Sequence, residues 1–314
     1  MQLRKDYILD RWVFYASERK KRPVEFKRLE DKSPLDKCFF CSGNESLTPP
    51  EIGRVGNDKK WLIRWFDNKF PAVDESESPK IITNDFFTHS SAYGKHEIIV
   101  EHSSHEKQLW DIPKMHLFKL IEVYRQRQIE LIKAKAINYV LIFKNHGRDA
   151  GTSLIHTHTQ VVSLNIVPTL VQAEADAVER YRKCPYCEIV KKELKSRRMC
   201  FESRYFAVIA PYASRFNFEV WIFPKWHVLG IDGMNNTQIE DFADIFSHVL
   251  KSLKRLNCSY NFYMHHSPQG RNLHFHVEFV PRIATWGGFE LATDATINSV
   301  LPEDAARFYR GELR

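Results

Sequence analysis

Apolar residues recur three or four positions apart in two long segments, which is the spacing of one helix face. The first segment runs from about residue 113 to residue 133, and the second begins at residue 237. The apolar positions of the first are Leu117, Leu120, Ile121, Tyr124, Leu131 and Ile132. Those of the second are Phe242, Ile245, Phe246, Val249, Leu250 and Leu253. Both segments are predicted to be amphipathic helices, and Thr237 to Glu240 match the capping box that starts a helix.

Short runs rich in β-branched and aromatic residues flank both helices. They lie at 96–100 and 139–143 in the first part of the chain, and at 218–222 and 260–264 in the second. Runs of about five such residues are typical of buried strands. A further helix is expected from about 167 to 182. The predicted fold class is therefore α+β, with mostly antiparallel sheets covered by helices.

These elements occur twice in the same order. Each series starts with a C-x₂-C pair and ends with an H-x-H pair, and a glutamate stands eight residues before a histidine in both. The glutamates are Glu97 and Glu219, before His105 and His227 respectively. Such ordered self-similarity predicts duplication of one α+β unit. We expect two halves of the same α+β type, residues 1–166 and 167–314.

Composition limits the classes of partner. The 314 residues are 43% hydrophobic, enough for about two domains with cores. The net charge of +7 favours anionic partners such as nucleotides and phosphates, but the basic residues are dispersed, which disfavours nucleic acid. The sequence contains no apolar run of about 18 residues, so no membrane span is predicted, and the N-terminus lacks a signal-peptide pattern. A cytoplasmic location is expected, where the six cysteines would be ligands or buried thiols.

The two C-x₂-C pairs are candidate metal ligands, because two such thiolates can bind one tetrahedral ion. The repeat adds two histidines to each pair. The first set is Cys38, Cys41, His105 and His156, and the second is Cys184, Cys187, His227 and His274. Four protein ligands make a closed site, which is typical of structural zinc. The alternative is that each pair is a set of reduced thiols without a metal.

The sequence from His156 to Gln160 carries the candidate chemistry. If it is a strand, its alternation puts His156, His158 and Gln160 on one face. With His156 on the metal, His158 would face the polar segment from Asn145 to Ser153. That segment includes Gly151 and Thr152, and its backbone N–H groups and hydroxyls suit an anion.

His158 is therefore predicted to be a nucleophile towards phosphorus, with Gln160, Ser153 and the backbone around Gly151 stabilising the phosphoryl charge. The second half has Glu278 where the first has Gln160. Because a carboxylate repels a phosphate, only the first half is expected to be active.

These residues resemble the galactose-1-phosphate uridylyltransferase family of the histidine-triad superfamily. The resemblance covers nearly the whole chain, and its motifs include Trp12-Val13, Cys38 to Glu45, Asn68 to Ala72, Glu97 to His105, Asn145 to Gln160 and Pro302 to Ala306. It implies a ping-pong reaction in which His158 attacks the α-phosphate of a nucleoside-diphosphate sugar. The sugar 1-phosphate leaves, and a hexose 1-phosphate then accepts the nucleotide.

The resemblance also implies roles for residues outside the HxHxQ motif. Asn68 and Asn145 would contact the nucleotide together with Ser153 and Gln160. Arg19 and Arg22 would reach the active site of a neighbouring subunit, which implies a homodimer. Glu290 matches an acceptor of sugar hydroxyl groups.

Two features depart from the uridylyltransferase pattern. Thr157 stands where those enzymes usually carry proline, and the segments at 184–187 and 288–290 look more like the ADP-glucose phosphorylase branch. That branch transfers AMP to inorganic phosphate, which is the alternative to uridylyl transfer. A zinc-stabilised nucleic-acid-binding protein is a remoter alternative, and a histidine-triad hydrolase is disfavoured by Gln160.

Overall fold

The computed structural model describes residues 2–17, 38–57 and 60–313. Most of its strands form one ten-stranded sheet in which every neighbouring pair is antiparallel. In chain order these strands are β3 (Glu51–Asn57), β4 (Lys60–Asp67), β7 (His96–Val100), β8 (Tyr139–His146), β9 (His158–Leu164), β10 (Met199–Glu202), β11 (Phe206–Ile209), β12 (Val220–Pro224), β13 (Tyr260–His265) and β14 (His276–Pro281). Together with the helices, this sheet confirms the predicted α+β class.

The sheet consists of two five-stranded halves with the same strand order. From edge to centre, the first half runs β3, β4, β7, β9, β8, and the second runs β10, β11, β12, β14, β13. Within the halves, Phe143 lies opposite Gln160 and Tyr263 lies opposite Glu278. At the centre β8 pairs with β13, and Phe143 faces Tyr263. An approximate two-fold axis therefore passes between these two aromatic residues.

Six helices and two small sheets complete the described chain. The helices are α1 (Lys114–Leu131), α2 (Thr169–Glu179), α3 (Pro185–Glu193), α4 (Asn236–Leu256), α5 (Gly288–Thr293) and α6 (Pro302–Tyr309). The small sheets are β1 (Gln2–Lys5), β2 (Trp12–Tyr15) and β15 (Thr296–Asn298), and the hairpin of β5 (Ile82–Asn84) and β6 (Phe87–His89).

The predicted helices α1 and α4 belong to the main core. Residues such as Leu120, Ile121, Phe242 and Phe246 are buried in one cluster with side chains from the sheet. The cap of α4 is not at Thr237 as the sequence suggested. The Asn235 side chain accepts a hydrogen bond from the Gln238 amide, and the Gln238 side-chain oxygen accepts one from the Asn235 amide, so the capping box lies two residues earlier.

The matching glutamates of the repeat do not occupy equivalent places. Glu97 accepts two hydrogen bonds from Arg127 of α1, whereas Glu219 accepts one from the indole of Trp221. Ile98 lies opposite Gln160, but Trp221 lies opposite Glu278, so the register differs by one residue between halves. The division at residue 166 stays a prediction, and a single sheet crosses it.

Candidate active site and metal centres

A cavity of about 540 Å³ opens on the first half of the sheet. Seven predicted site residues line it: Asn68, Asn145, Gly151, Thr152, Ser153, His158 and Gln160. One wall is apolar and includes Phe39, Phe40, Phe66 and Leu47, with Lys69 as a basic residue at the lining. A flat apolar wall beside amides, hydroxyls and a cation suits a ligand with a ring and a charged group.

The hydrogen bonds of His158 determine its tautomer. Nδ1 lies 2.8 Å from the carbonyl oxygen of His156, and because a carbonyl only accepts, Nδ1 must carry the proton. Nε2 is then the ring atom with the lone pair. Burial, followed by the charge of Lys144, lowers the pKa of His158 to about 4. The imidazole is therefore neutral at neutral pH, which is the nucleophilic form.

His156 precedes β9, and β9 itself begins at His158. The observed strand thus begins two residues later than the predicted strand, which began at His156. His158, the candidate nucleophile, is therefore the first residue of β9, and it directly follows the segment that contains the predicted metal ligand His156.

A chain of hydrogen bonds also orients Gln160. The amide of Ala72 donates to Nδ1 of His96 at 3.1 Å, so the His96 proton is on Nε2. Nε2 then donates to the side-chain oxygen of Gln160 at 2.9 Å. Gln160 consequently turns its NH₂ group away from His96, and Gln160 lines the cavity. This arrangement suits donation to a phosphate oxygen.

The polar loop before the histidines is shaped by two glycines. Gly147 and Gly151 have φ of +79° and +85°, a region that favours glycine. At Gly147 a Cβ would also lie 2.3 Å from the hydroxyl of Ser259. Asn261 of the second half donates to the side-chain oxygen of Asn145 and to the carbonyl of Ala150. The second half therefore holds the loop in place and leaves the NH₂ group of Asn145 for another acceptor.

The four predicted ligands of the first metal set lie together. Each offers one ligand atom, and these atoms are within 4.8 Å of one another. Nδ1 of His156 is 3.5 Å from Cys38 Sγ and 3.6 Å from Cys41 Sγ. Ligands 2.0–2.3 Å from a tetrahedral ion are about 3.5 Å apart, so the spacing fits a metal. Nε2 of His156 donates to the carbonyl of His102, which leaves Nδ1 for the ion.

The second predicted set is assembled in the same way. Nδ1 of His274 is 3.4 Å from Cys187 Sγ and 3.9 Å from Cys184 Sγ, and Nδ1 of His227 is 3.5 Å from Cys187 Sγ. The outer nitrogens of the histidines donate to Pro224 and Asn272. Burial and the neighbouring thiol raise the pKa of Cys187 to about 12. A dication would offset that cost by binding thiolates.

The first metal set is linked to the wall of the cavity through the two residues between its cysteines. Phe39 and Phe40 stand between Cys38 and Cys41, and both line the cavity. The ring of Phe40 packs edge-on against His158, with centroids 5.4 Å apart. An ion bound there would fix the wall as well as the backbone next to His158.

The second half lacks an open counterpart of His158. His276 has the same Nδ1 bond to a backbone carbonyl, that of His274. Its ring is fully buried, whereas His158 is 6% exposed, and Phe223 and Tyr186 cover it at centroid distances of 5.0 and 5.2 Å. Glu278 lies 3.5 Å from Nε2 of His276. The assignment of a single active histidine to the first half stays a prediction.

The other three predicted substrate-binding residues do not all belong to the described part of the chain. Arg19 and Arg22 lie outside the described residues. Glu290 caps α5 by accepting from the amide of Gly287, beside the small sheet of β1, β2 and β15, and is not among the residues that line the cavity. The sugar-binding role of Glu290 stays a prediction.

The structure adds residues that the sequence reasoning missed. His96 orients Gln160, and Lys144 and Glu101 form a buried ion pair beneath His158. The signal for the ion pair was two charged residues directly following apolar strand runs, at positions where the apolar pattern would place them inside. Their proximity was not predictable, since they lie on different strands.

Two family models match parts of this chain. A family model described as "Galactose-1-phosphate uridyl transferase, N-terminal domain" matches residues 1–168, and one described as "Domain of unknown function (DUF4921)" matches residues 115–308. ADP-glucose phosphorylase of Arabidopsis thaliana is 32% identical over 98% of this chain and 92% of its own length. Galactose-1-phosphate uridylyltransferase of Thermotoga maritima is 28% identical over 99% of this chain and 98% of its own.

The structural comparison gives the same relatives. A crystal structure of an ADP-glucose phosphorylase from Arabidopsis thaliana with bound ADP-glucose has a TM-score of 0.85 and 30% identity, and covers 100% of this chain and 99% of that chain. Fold, site and relatives together define a nucleotidyl-transferring enzyme. The chain belongs to the galactose-1-phosphate uridylyltransferase family, which here includes the ADP-glucose phosphorylase branch. None of the helices in the described residues is long and apolar enough to cross a membrane.

Proposed function

We propose that this enzyme moves a nucleoside monophosphate from a nucleoside-diphosphate sugar to a phosphate-bearing acceptor through a covalent intermediate on His158. Nε2 attacks the α-phosphorus, the bond to the sugar phosphate breaks, and sugar 1-phosphate leaves. The acceptor oxygen then attacks the same phosphorus and returns Nε2 to its free state. The observation that carries this proposal is the neutral His158 ring, with its proton on Nδ1, in a cavity lined by a glycine-rich loop.

The surrounding groups have separate roles in this reaction. The NH₂ groups of Gln160 and Asn145 and the hydroxyl of Ser153 donate to the phosphate oxygens, where charge increases in the transition state. Asn68 and the apolar wall hold the nucleoside. Thr152 and Gly151 position the loop.

Both Cys₂His₂ sets are proposed to hold zinc, because two thiolates with two imidazoles in tetrahedral spacing favour that ion. With all four positions filled by the protein, zinc would be structural. It would clamp distant strands and supply no water for hydrolysis. Thiolate ligands also fit the reducing cytoplasm.

Two donors are candidates, and the comparisons support one of them more strongly. Sequence identity is 32% to the ADP-glucose phosphorylase of Arabidopsis thaliana and 28% to the uridylyltransferase of Thermotoga maritima, and Thr157 departs from the uridylyltransferase pattern. We therefore favour an ADP-sugar as donor and inorganic phosphate as acceptor. Uridylyl transfer from a UDP-sugar to a hexose 1-phosphate is the second candidate, supported by the family model over residues 1–168.

A panel of donors and acceptors tests the proposal. ADP-glucose and UDP-glucose would each be incubated with phosphate or with galactose 1-phosphate, and nucleotide products would be separated by chromatography. The favoured function predicts ADP and glucose 1-phosphate from ADP-glucose and phosphate. Turnover with UDP-glucose and galactose 1-phosphate alone would select the second candidate, and no transfer with any pair would contradict both.

Changing Gln160 to glutamate should impair the chemical step. The Gln160→Glu variant gives the first half the residue that the second half carries at Glu278. A carboxylate in place of a donor removes one hydrogen bond to the phosphoryl group and adds repulsion, so kcat should fall by about 10²- to 10³-fold. Steady-state kinetics measure this, with Gln160→Asn as the uncharged comparison. A glutamate variant as active as the wild type would show that residue 160 does not face the phosphate.

The homodimer is proposed from the family resemblance and from the position of Glu290. The apolar residues around it are partly exposed, with Phe289 at 43% and Leu291 at 75%. We propose that a second copy of the chain covers this surface. Sedimentation analysis of the purified chain tests it.

A further inference from the structure

A buried polar cluster lies directly behind the nucleophile candidate. Its members are Lys144 on β8, Glu101 after β7, and Thr157 and Thr159 on either side of His158. Because side chains alternate along a strand, Lys144 and Thr159 point to the sheet face opposite the cavity that Asn145 and His158 line. All four residues are 2% exposed or less.

The cluster holds the backbone on both sides of His158. The Lys144 ammonium donates to Glu101 at 2.7 Å, to the Thr157 hydroxyl at 3.0 Å and to the His158 carbonyl at 2.8 Å. Glu101 in turn accepts from the hydroxyls of Thr157 and Thr159. The backbone amide of Glu101 donates to the carbonyl of Thr157. Each peptide unit next to the His158 ring is therefore bonded to this one ion pair or its backbone.

The second half provides an internal comparison, because it has the same strands in the same order. Met264 takes the place of Lys144, Phe275 that of Thr157 and Val277 that of Thr159. All three are fully buried. The fold thus forms without polar residues at these positions, in the half whose histidine is closed off.

Stability does not explain the cluster in the first half. Removing two charges from water costs about as much as their attraction returns, so apolar residues of similar size are often as stabilising as a buried ion pair. The fixed geometry of such a pair can instead define a local conformation. In the reaction proposed here, that conformation is the one of the His158 ring, whose Nδ1 is bound to the carbonyl just before Thr157.

We propose that Lys144, Glu101 and Thr157 are positioning residues, which act through the backbone to aim His158 at the α-phosphorus. The metal ligand His156 would hold the strand from one side, and the ion pair would hold it from the other side. Thr157, the position that departs from the uridylyltransferase pattern, supplies a hydroxyl that proline lacks. None of the three is among the residues that line the cavity, so their effect is expected on the rate of the chemical step and not on donor binding.

This inference rests on the proposed function, and rapid-quench kinetics with radiolabelled ADP-glucose and UDP-glucose separate the two. The wild type is mixed with saturating donor, and the rate of covalent labelling is compared with that of Thr157→Val and of the paired replacement Lys144→Met with Glu101→Leu. Thr157→Ser keeps the hydroxyl and is the rescue variant. The matched control is Arg127→Met with Glu97→Leu, which removes another buried ion pair of the same half.

The expected result is a labelling rate about 100-fold lower for the paired replacement and about 10-fold lower for Thr157→Val, since small displacements of a reacting group cost that much. The concentration of donor that gives half-maximal labelling should not change. Thr157→Ser and the control pair should label at the wild-type rate.

Three outcomes would overturn an element of this account. A wild type that takes up no label with either donor would overturn the proposed function, and the positioning role with it. If the wild type is labelled, and Thr157→Val and the paired replacement are labelled at the same rate as the wild type, the positioning role alone is overturned. An equal loss in the control pair would do the same, because it would assign the effect to general loss of stability. Thr157→Val keeps the test valid if the paired replacement does not fold.

Discussion

Replacing His158 by glycine is expected to leave the protein folded and to lower nucleotidyl transfer by more than about 10⁴-fold, since the nucleophile has no substitute. The ring lines a cavity and is not packed on every side, so the free energy of unfolding should fall by only about 1–3 kcal/mol. Turnover assays and covalent labelling measure the first effect. Thermal unfolding followed by circular dichroism measures the second.

The second half offers a matched control for this experiment. His276→Gly removes the histidine at the corresponding position, whose ring is packed between Phe223 and Tyr186. That variant should lose more stability than His158→Gly but keep covalent labelling wherever it is folded. Label that survives in His158→Gly and disappears in a folded His276→Gly would reverse the assignment of the two histidines.

Changing Cys38 to serine is expected to remove one metal ion per chain and to lower the melting temperature by roughly 10 °C or more. Structural zinc contributes on the order of 10 kcal/mol to the folding of small domains. Losing even a part of this free energy lowers the melting temperature of a chain of this size by several degrees. Activity should fall as well, because Phe40 after Cys38 packs on His158. Metal content by mass spectrometry and thermal unfolding give the two results.

The control for the cysteine change is Cys200→Ser, which alters a buried thiol that belongs to neither metal set. It should keep both ions. Cys184→Ser should remove the second ion and leave the first. Zinc content and melting temperature that are the same in Cys38→Ser and in the wild type would contradict the first metal centre.

The local elements of the fold were predictable, because apolar spacing determines them. Helices α1 and α4 follow from residues such as Leu120 and Phe246, and the duplicated α+β unit follows from the recurring motifs. The pairing of β8 with β13, which joins the halves, was not predictable, since long-range tertiary contacts determine which strands pair. The equal spacing of Glu97 and Glu219 was misleading for the same reason, as a shift of one residue moves a side chain to the other face.

The candidate site also has a part that could be predicted from local sequence and a part that depends on tertiary contacts. Asn145, Ser153, His158 and Gln160 are close in sequence, so their grouping could be predicted from one contiguous segment. The contributions of His96, Lys144 and Asn261 could not, because each comes from a different strand and is oriented by contacts across the sheet. The expected roles of Arg19 and Arg22 depend on a second copy of the chain, and the expected role of Glu290 stays a prediction.

The central claim is that His158 bonds to phosphorus, and mass spectrometry of the labelled protein tests it most directly. The enzyme would be incubated with donor sugar nucleotide without acceptor, digested at neutral to alkaline pH to preserve the acid-labile bond, and mapped. The account predicts one nucleoside monophosphate on the peptide that contains His158, lost on adding acceptor. The same mass on another residue, or an unmodified His158 in an enzyme that turns over, would contradict it.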